Sequence, residues 1–215
     1  MRPIIFARIA SMNYYKGINN NDQPENGGAF VRETNLAHEC HNFDVVKFDD
    51  GKEECWGFVQ LIGGSKNNEL QIKIENIVGC EGYKKEEWVN GVTVVWCAKA
   101  NGSKNLRVVG FYKNATVFRH YQSEDFSDDY TQYFNFAAEK KDCVLLPYHE
   151  RFNNGAWYVP TSHKNNYDFG FGRSSIWYAG SKTEDKKEIE YVENMLKSIE
   201  NYNGENWIDK GGENY

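Results

Sequence analysis

Val92-Thr93-Val94-Val95-Trp96-Cys97-Ala98 and Leu106-Arg107-Val108-Val109-Gly110-Phe111-Tyr112 flank the dipeptide Asn101-Gly102. Runs this short and this rich in branched and aromatic side chains, with a turn pair between them, read as neighbouring antiparallel strands. Asparagine and glycine supply the positive-φ positions that a tight connection demands. Working outward, Ala115 to Tyr121 extends the pattern, and Cys55 to Ile62, Glu69 to Glu75 and Gly91 to Ala98 share it, with Gly63-Gly64 and Asn90-Gly91 as punctuation. Asp142 to Leu146 is stopped by Pro147 and Trp157 to Val159 by Pro160, which suits edge strands because proline donates no ladder hydrogen bond. Pro3 to Ala10, with Ile4, Ile5, Phe6 and Ile9, reads as a buried strand.

A helix is expected from about Lys182 to Glu200, where Ile189, Val192, Leu196 and Ile199 recur on one face. Ser181 and Glu184 have the spacing of a capping box, and Asn203-Gly204 ends the segment. Its apolar stripe packs on the sheet or, alternatively, on a partner. The expected fold is therefore α+β and a single domain over 1–215. A curved, antiparallel-rich sheet or a small β-barrel is closed by the C-terminal amphipathic helix, with a long loop at about 13–42. That loop is dense in Asn, Gly and Tyr around Asn26-Gly27-Gly28, and connections of such length usually carry function.

Six Trp, 14 Tyr and 13 Phe against three Met point to an aromatic core. A net charge of −6 excludes the whole-domain footprint of a strong, non-specific duplex-DNA binder, though a local basic groove remains open. No stretch approaches the ~20 apolar residues that span a bilayer. Met1-Arg2-Pro3 leads into a strand-like run rather than a signal peptide, so a cytoplasmic location and no membrane partner are expected. The five cysteines are odd in number and contain no C-x-x-C pair, which suits buried thiols. His38, Cys40 and His41 are close together but lack the second ligand pair of a zinc site, and neither metal nor cofactor is expected.

The sequence contains no Walker loop, Rossmann fingerprint, G-x-S-x-G elbow or H-E-x-x-H helix. His38-Glu39 and His149-Glu150-Arg151 combine bases with acids or a cation, as phosphodiester chemistry requires, which makes His38, Glu39 and His149 the catalytic candidates of an enzyme reading. The acidic residues Glu124, Asp125, Asp128 and Asp129 resemble a solvated loop more than a metal cage. The richer constellation is aromatic. Trp56, Trp96, Tyr112 and Trp177 lie at or near strand ends or glycine-rich loops, in the company of Asn114, Arg119 and Arg173. Rings that stack on an unstacked base, with amides and cations for its edge and phosphate, are what base recognition needs. The competing reading of each ring is core packing. Phe169-Gly170-Phe171-Gly172 joins bare backbone to large rings, as segments close to a ligand do. Tyr14-Tyr15-Lys16 and Tyr83-Lys84-Lys85 offer basic-aromatic pairs, for which snorkelling side chains are the plainer account.

Several phrases carry a resemblance: Ile5-Phe6-Ala7-Arg8-Ile9-Ala10, Gly27-Gly28-Ala29-Phe30-Val31, His38-Glu39, Val94-Val95-Trp96, Val109 through Val117, and Gly170 through Ala179. Together they resemble an N-terminal module of bacterial HNH-endonuclease-like and restriction-type proteins, from Ile4 through the C-terminal helix. The resemblance implies target recognition, by analogy with the EVE-like and YTH-like domains of the PUA superfamily, which flip a modified base into an aromatic cage on a small barrel. The characteristic phrases of those domains are missing here, and no HNH motif occurs in these 215 residues, so either a nuclease domain or subunit lies outside this chain or the module is a stand-alone reader. The expectation is a binding module for nucleic acid or a nucleotide in bacterial restriction or defence. It would use Trp56, Trp96, Tyr112 and Trp177 for stacking, with Asn114, Arg119 and Arg173 beside them. The alternatives are a nuclease or nucleotide-processing enzyme using His38, Glu39 and His149, and a nucleotide or protein sensor in which the helix near Leu196 relays binding.

Overall fold

Val94 and Val95 point to opposite faces of one strand, and both are fully buried. Val94 joins Ile5, Ala7, Trp96, Tyr112, Val117 and Phe136 in one core layer. Val95 joins Phe6, Cys97, Val108 and Phe111 in another, under Val192, Met195, Leu196 and Ile199 of the C-terminal helix. A sheet covered on both faces requires continuous apolar runs rather than alternation, which is the pattern of this stretch.

The computed structural model describes residues 2–25, 38–62, 70–99, 103, 105–127, 130–153, 155–162, 167–181 and 185–211. Its strands are β1 (Ile4–Arg8), β2 (Val45–Lys47), β3 (Glu53–Gly57), β4 (Trp88–Ala98), β5 (Leu106–Ser127), β6 (Tyr130–Glu139), β7 (Cys143–Leu145), β8 (Tyr158–Val159) and β9 (Ile176–Trp177). They form one sheet in the order β2-β3-β6-β5-β4-β1-β9, with β7 and β8 also paired to β5. Every pairing is antiparallel except β1 with β4. Among the described residues the sheet is open, with β2 and β9 at its two ends, so of the two expected architectures the barrel is not formed.

The runs expected as separate strands at 106–112 and 115–121 are one strand of 22 residues. It bends at Asn114, whose φ of 52° is left-handed, a conformation asparagine tolerates better than most residues. Tyr112 pairs with Val94 and Ala115 with Val92, so two residues of β5 oppose Thr93 alone, which is a bulge. Before it, β5 pairs with β7; after it, with β6. The run expected as a strand at 69–75 differs too. Residue 69 lies outside the described residues, and Ile74–Asn76 is a 3-10 turn. Here Ile72, Ile74 and Ile77 drop into the core from an irregular cover laid over the sheet face.

Two α-helices are described. α1 (Tyr148–Asn153), unforeseen in the sequence, starts directly after Pro147. α2 (Lys186–Glu200) is capped by Asp185, whose carboxylate accepts from the Lys187 N–H at 2.8 Å, four residues later than expected. The expected cap partner Glu184 lies outside the described residues. Of the long loop expected at 13–42, the Asn26-Gly27-Gly28 turn lies outside them as well. Its first part is tied down: Asp22, 2% exposed, accepts from the N–H groups of Asn13 (2.6 Å), Tyr14 (2.7 Å) and Tyr15 (3.2 Å). The buried Arg151 donates to the carbonyls of Met12 and Asn13, both at 2.7 Å. All five cysteines are buried free thiols, and no helix among the described residues is long and apolar enough to cross a membrane.

Candidate functional site

Strand β2 ends the sheet, and its register with β3 pairs Val45 with Cys55 and Val46 with Glu54. Carried one residue further, that register sets Asp44 opposite Trp56. A cavity of about 380 Å³ opens at this corner, lined by His41, Asp44, Lys47, Trp56, Tyr130 and Gln132 together with Val45 and Val46.

Each ring in the groove is held by a second group. His41 Nδ1 lies 2.6 Å from Asp44 Oδ2, a contact set by the turn in which the Asp44 N–H donates to the His41 carbonyl. Trp56 Nε1 donates to Glu54 Oε2 at 2.9 Å, and the indole stacks on Phe134 with centroids 4.5 Å apart and planes at 16°. The Tyr130 hydroxyl donates to Gln132 Oε1. Gln132, 4% exposed, spends its amide N–H groups on the carbonyls of His38 and Tyr133 at 3.2 and 3.0 Å. The His41 ring lies 5.6 Å from that of Tyr130. Lys47 stands at the rim, 75% exposed along its side chain and 3.6 Å from Glu53.

The catalytic candidates of the sequence do not converge. His38, Glu39 and His41 share one 3-10 turn (His38–His41), but Glu39 turns into the core, where it accepts from the Ala10 N–H at 3.1 Å. Burial pushes its carboxyl up to about 7. His38 is half-buried between Phe58 and Tyr133, with Nδ1 3.4 Å from the Tyr133 amide, and burial holds its imidazole below the usual range. His149 is exposed on α1, against Trp207 and Glu150.

Nor do the stacking candidates form one cage. Trp96 and Tyr112 are both fully buried and meet edge to face at 5.3 Å in the first core layer. Trp177 belongs to the second, 4.6 Å from Phe6 and 6.3 Å from Phe169. Asn114 is the exposed bulge residue of β5. Arg119 is 7% exposed and engaged with Glu75 and three backbone carbonyls. Arg173 is exposed, and its carbonyl accepts from Arg8. Trp56, at 8% exposure no more open than Trp177, is the member of this set that lines the groove, and it is joined there by His41, Asp44, Lys47, Tyr130 and Gln132. The i, i+3 spacing of His41 and Asp44 was available in the sequence. Tyr130 and Gln132 arrive from β6, a strand the apolar pattern does not reveal.

Among the described residues no group of three or more His, Cys, Asp or Glu side chains is placed to hold a metal ion. The groove offers a fixed indole for stacking, an ammonium for an anion and an oriented imidazole for proton transfer. In comparisons with known proteins, the chain matched no family model, no curated protein and no solved structure.

Proposed function

We propose that the protein is a recognition module whose groove at the β2–β3 corner takes the base of a nucleic acid or nucleotide against Trp56. The observation that carries this reading is the fixation of all three groove rings, His41 by Asp44, Trp56 by Glu54 and Phe134, and Tyr130 by Gln132. Rings immobilised before the ligand arrives lose little conformational entropy on binding. Base-on-indole stacking contributes about 1–3 kcal/mol and tolerates any base. Lys47 supplies one cation for a phosphate, and the net charge of −6 limits what further phosphate neutralisation adds. The resemblance to restriction-type modules makes modified bases natural members of the probe set.

The test is fluorescence polarisation with short single- and double-stranded DNAs and RNAs, unmodified or carrying methylated or hydroxymethylated bases. The expected result is binding of at least one class that Trp56→Ala weakens by about tenfold or more, measured at a temperature where the less stable variant is still folded by circular dichroism. Uniform failure across the set, or binding indifferent to Trp56, would overturn the proposal.

A further inference from the structure

We infer that the same groove cleaves single-stranded RNA, with His41 as the base that takes the proton of a ribose 2′-hydroxyl. The inference rests on the reading of the groove as a base-binding site. His41 Nδ1 is 2.6 Å from Asp44 Oδ2, the arrangement in which a carboxylate fixes the orientation and tautomer of an imidazole. Donation of Nδ1–H to Asp44 leaves the lone pair on Nε2, and the His41 side chain remains 29% exposed at a groove that water and ligand can enter. Imidazole is the side chain suited to both accept and release a proton near neutral pH.

The rest of the lining selects the substrate. Among the described residues at the groove there is no serine, threonine or cysteine, and the Tyr130 hydroxyl donates to Gln132, so the nucleophile assigned here is one the substrate carries. A ribose 2′-hydroxyl is such a nucleophile, lying next to the phosphorus it attacks. Among the described residues of the lining Asp44 is the one carboxylate, and it is engaged by His41, so the chemistry assigned here is proton transfer within a stacked, anchored strand. Trp56 holds the base and Lys47 faces the phosphodiester charge. His41 Nε2 takes the 2′-hydroxyl proton as the 2′ oxygen bonds to phosphorus. The bond from phosphorus to the 5′ oxygen breaks, and that oxygen leaves as an alcohol with a proton from water. The imidazolium then returns its proton to solvent. The products are a 2′,3′-cyclic phosphate and a 5′-hydroxyl, and nothing is oxidised or reduced.

The experiment incubates the full 215-residue chain, in EDTA, with an end-labelled single-stranded RNA of mixed sequence and with the DNA of the same sequence. Binding is followed by polarisation and products by mass spectrometry. The expected result is RNA converted to cyclic-phosphate fragments while the DNA is bound and intact. His41→Gln should lower the rate at saturating RNA by about a hundredfold or more, with an unchanged melting temperature. Asp44→Asn should lower kcat while KM holds. Binding of both strands without RNA cleavage would overturn the inference and leave the base-binding reading standing. Binding of neither would overturn both, and cleavage undiminished in His41→Gln would overturn the assignment of His41.

Discussion

Arg119 Nη1 stands 3.0 Å from Glu75 Oε2, and the remainder of the guanidinium is spent on main-chain carbonyls. Nε donates to Glu86 at 2.9 Å, and Nη2 to Tyr83 and Lys84 at 3.0 Å each. One side chain of β5 thereby fixes the segment from Glu75 to Glu86 that crosses the sheet's face. A planar fork with five donors can do this and an ammonium cannot.

Arg119→Met should therefore destabilise the protein by about 2–4 kcal/mol, because a partly buried carboxylate and three carbonyls lose their donor together. Arg119→Lys should recover only part of that loss. The reading is the urea midpoint at constant m-value, and a methionine variant as stable as the parent would show that the clamp carries no weight.

Trp96 and Trp56 should separate in their effect on ligand binding. Trp96 is fully buried, and a Cβ added at Gly57 would lie 2.3 Å from its Cζ2 and 2.7 Å from its Cη2. Trp96→Ala should cost about 3–5 kcal/mol, and Gly57→Ala about 1–3 kcal/mol from overpacking, both read by chemical denaturation. Trp56, 8% exposed and stacked on Phe134 at the groove, should lose ligand affinity as well as some stability on truncation, whereas Trp96→Ala should leave affinity unchanged wherever the variant is folded. A stable Trp96→Ala variant would mean that the first core layer repacks around the missing ring.

The contrast shows what the sequence could convey. The run through Val94, Val95, Trp96 and Cys97 announces a strand buried on both faces, and the spacing of Val192, Leu196 and Ile199 announces the helix that covers one of them. Which tryptophan reaches a groove depends on cover brought from elsewhere in the chain, such as Ile72, Ile74 and Ile77 over the first layer. Local pattern is silent on that. Asn114 looked like an amide for a base edge, yet its φ of 52° makes it the hinge of β5. Strand β6 was hidden because Gln132 and Asn135 interrupt its apolar run. Both are buried, and Asn135 earns its place by accepting from the Val59 N–H at 3.1 Å and donating to the Val59 carbonyl at 3.2 Å.

Glu39 provides a prediction about pH. It is 7% exposed, accepts from the Ala10 N–H, and burial pushes its carboxyl from 4.5 up to about 7. Between those two values the folded chain holds the proton more firmly than the unfolded chain. The associated stability is therefore fully present below about pH 4.5, declines as pH rises to about 7, and is flat above it. The whole decline is on the order of 3 kcal/mol. Glu39→Gln keeps an acceptor for Ala10 and stays neutral, so it should match the parent near the acid end of that window and exceed it in stability once the window is passed. His38, whose imidazole burial holds low, contributes the opposite slope, since its stability is lost as pH falls. That term is common to both proteins and cancels when the two curves of unfolding free energy against pH are subtracted. A flat difference curve would show that Glu39 titrates alike in the folded and unfolded chains, with the Ala10 N–H stabilising its charge as much as burial opposes it.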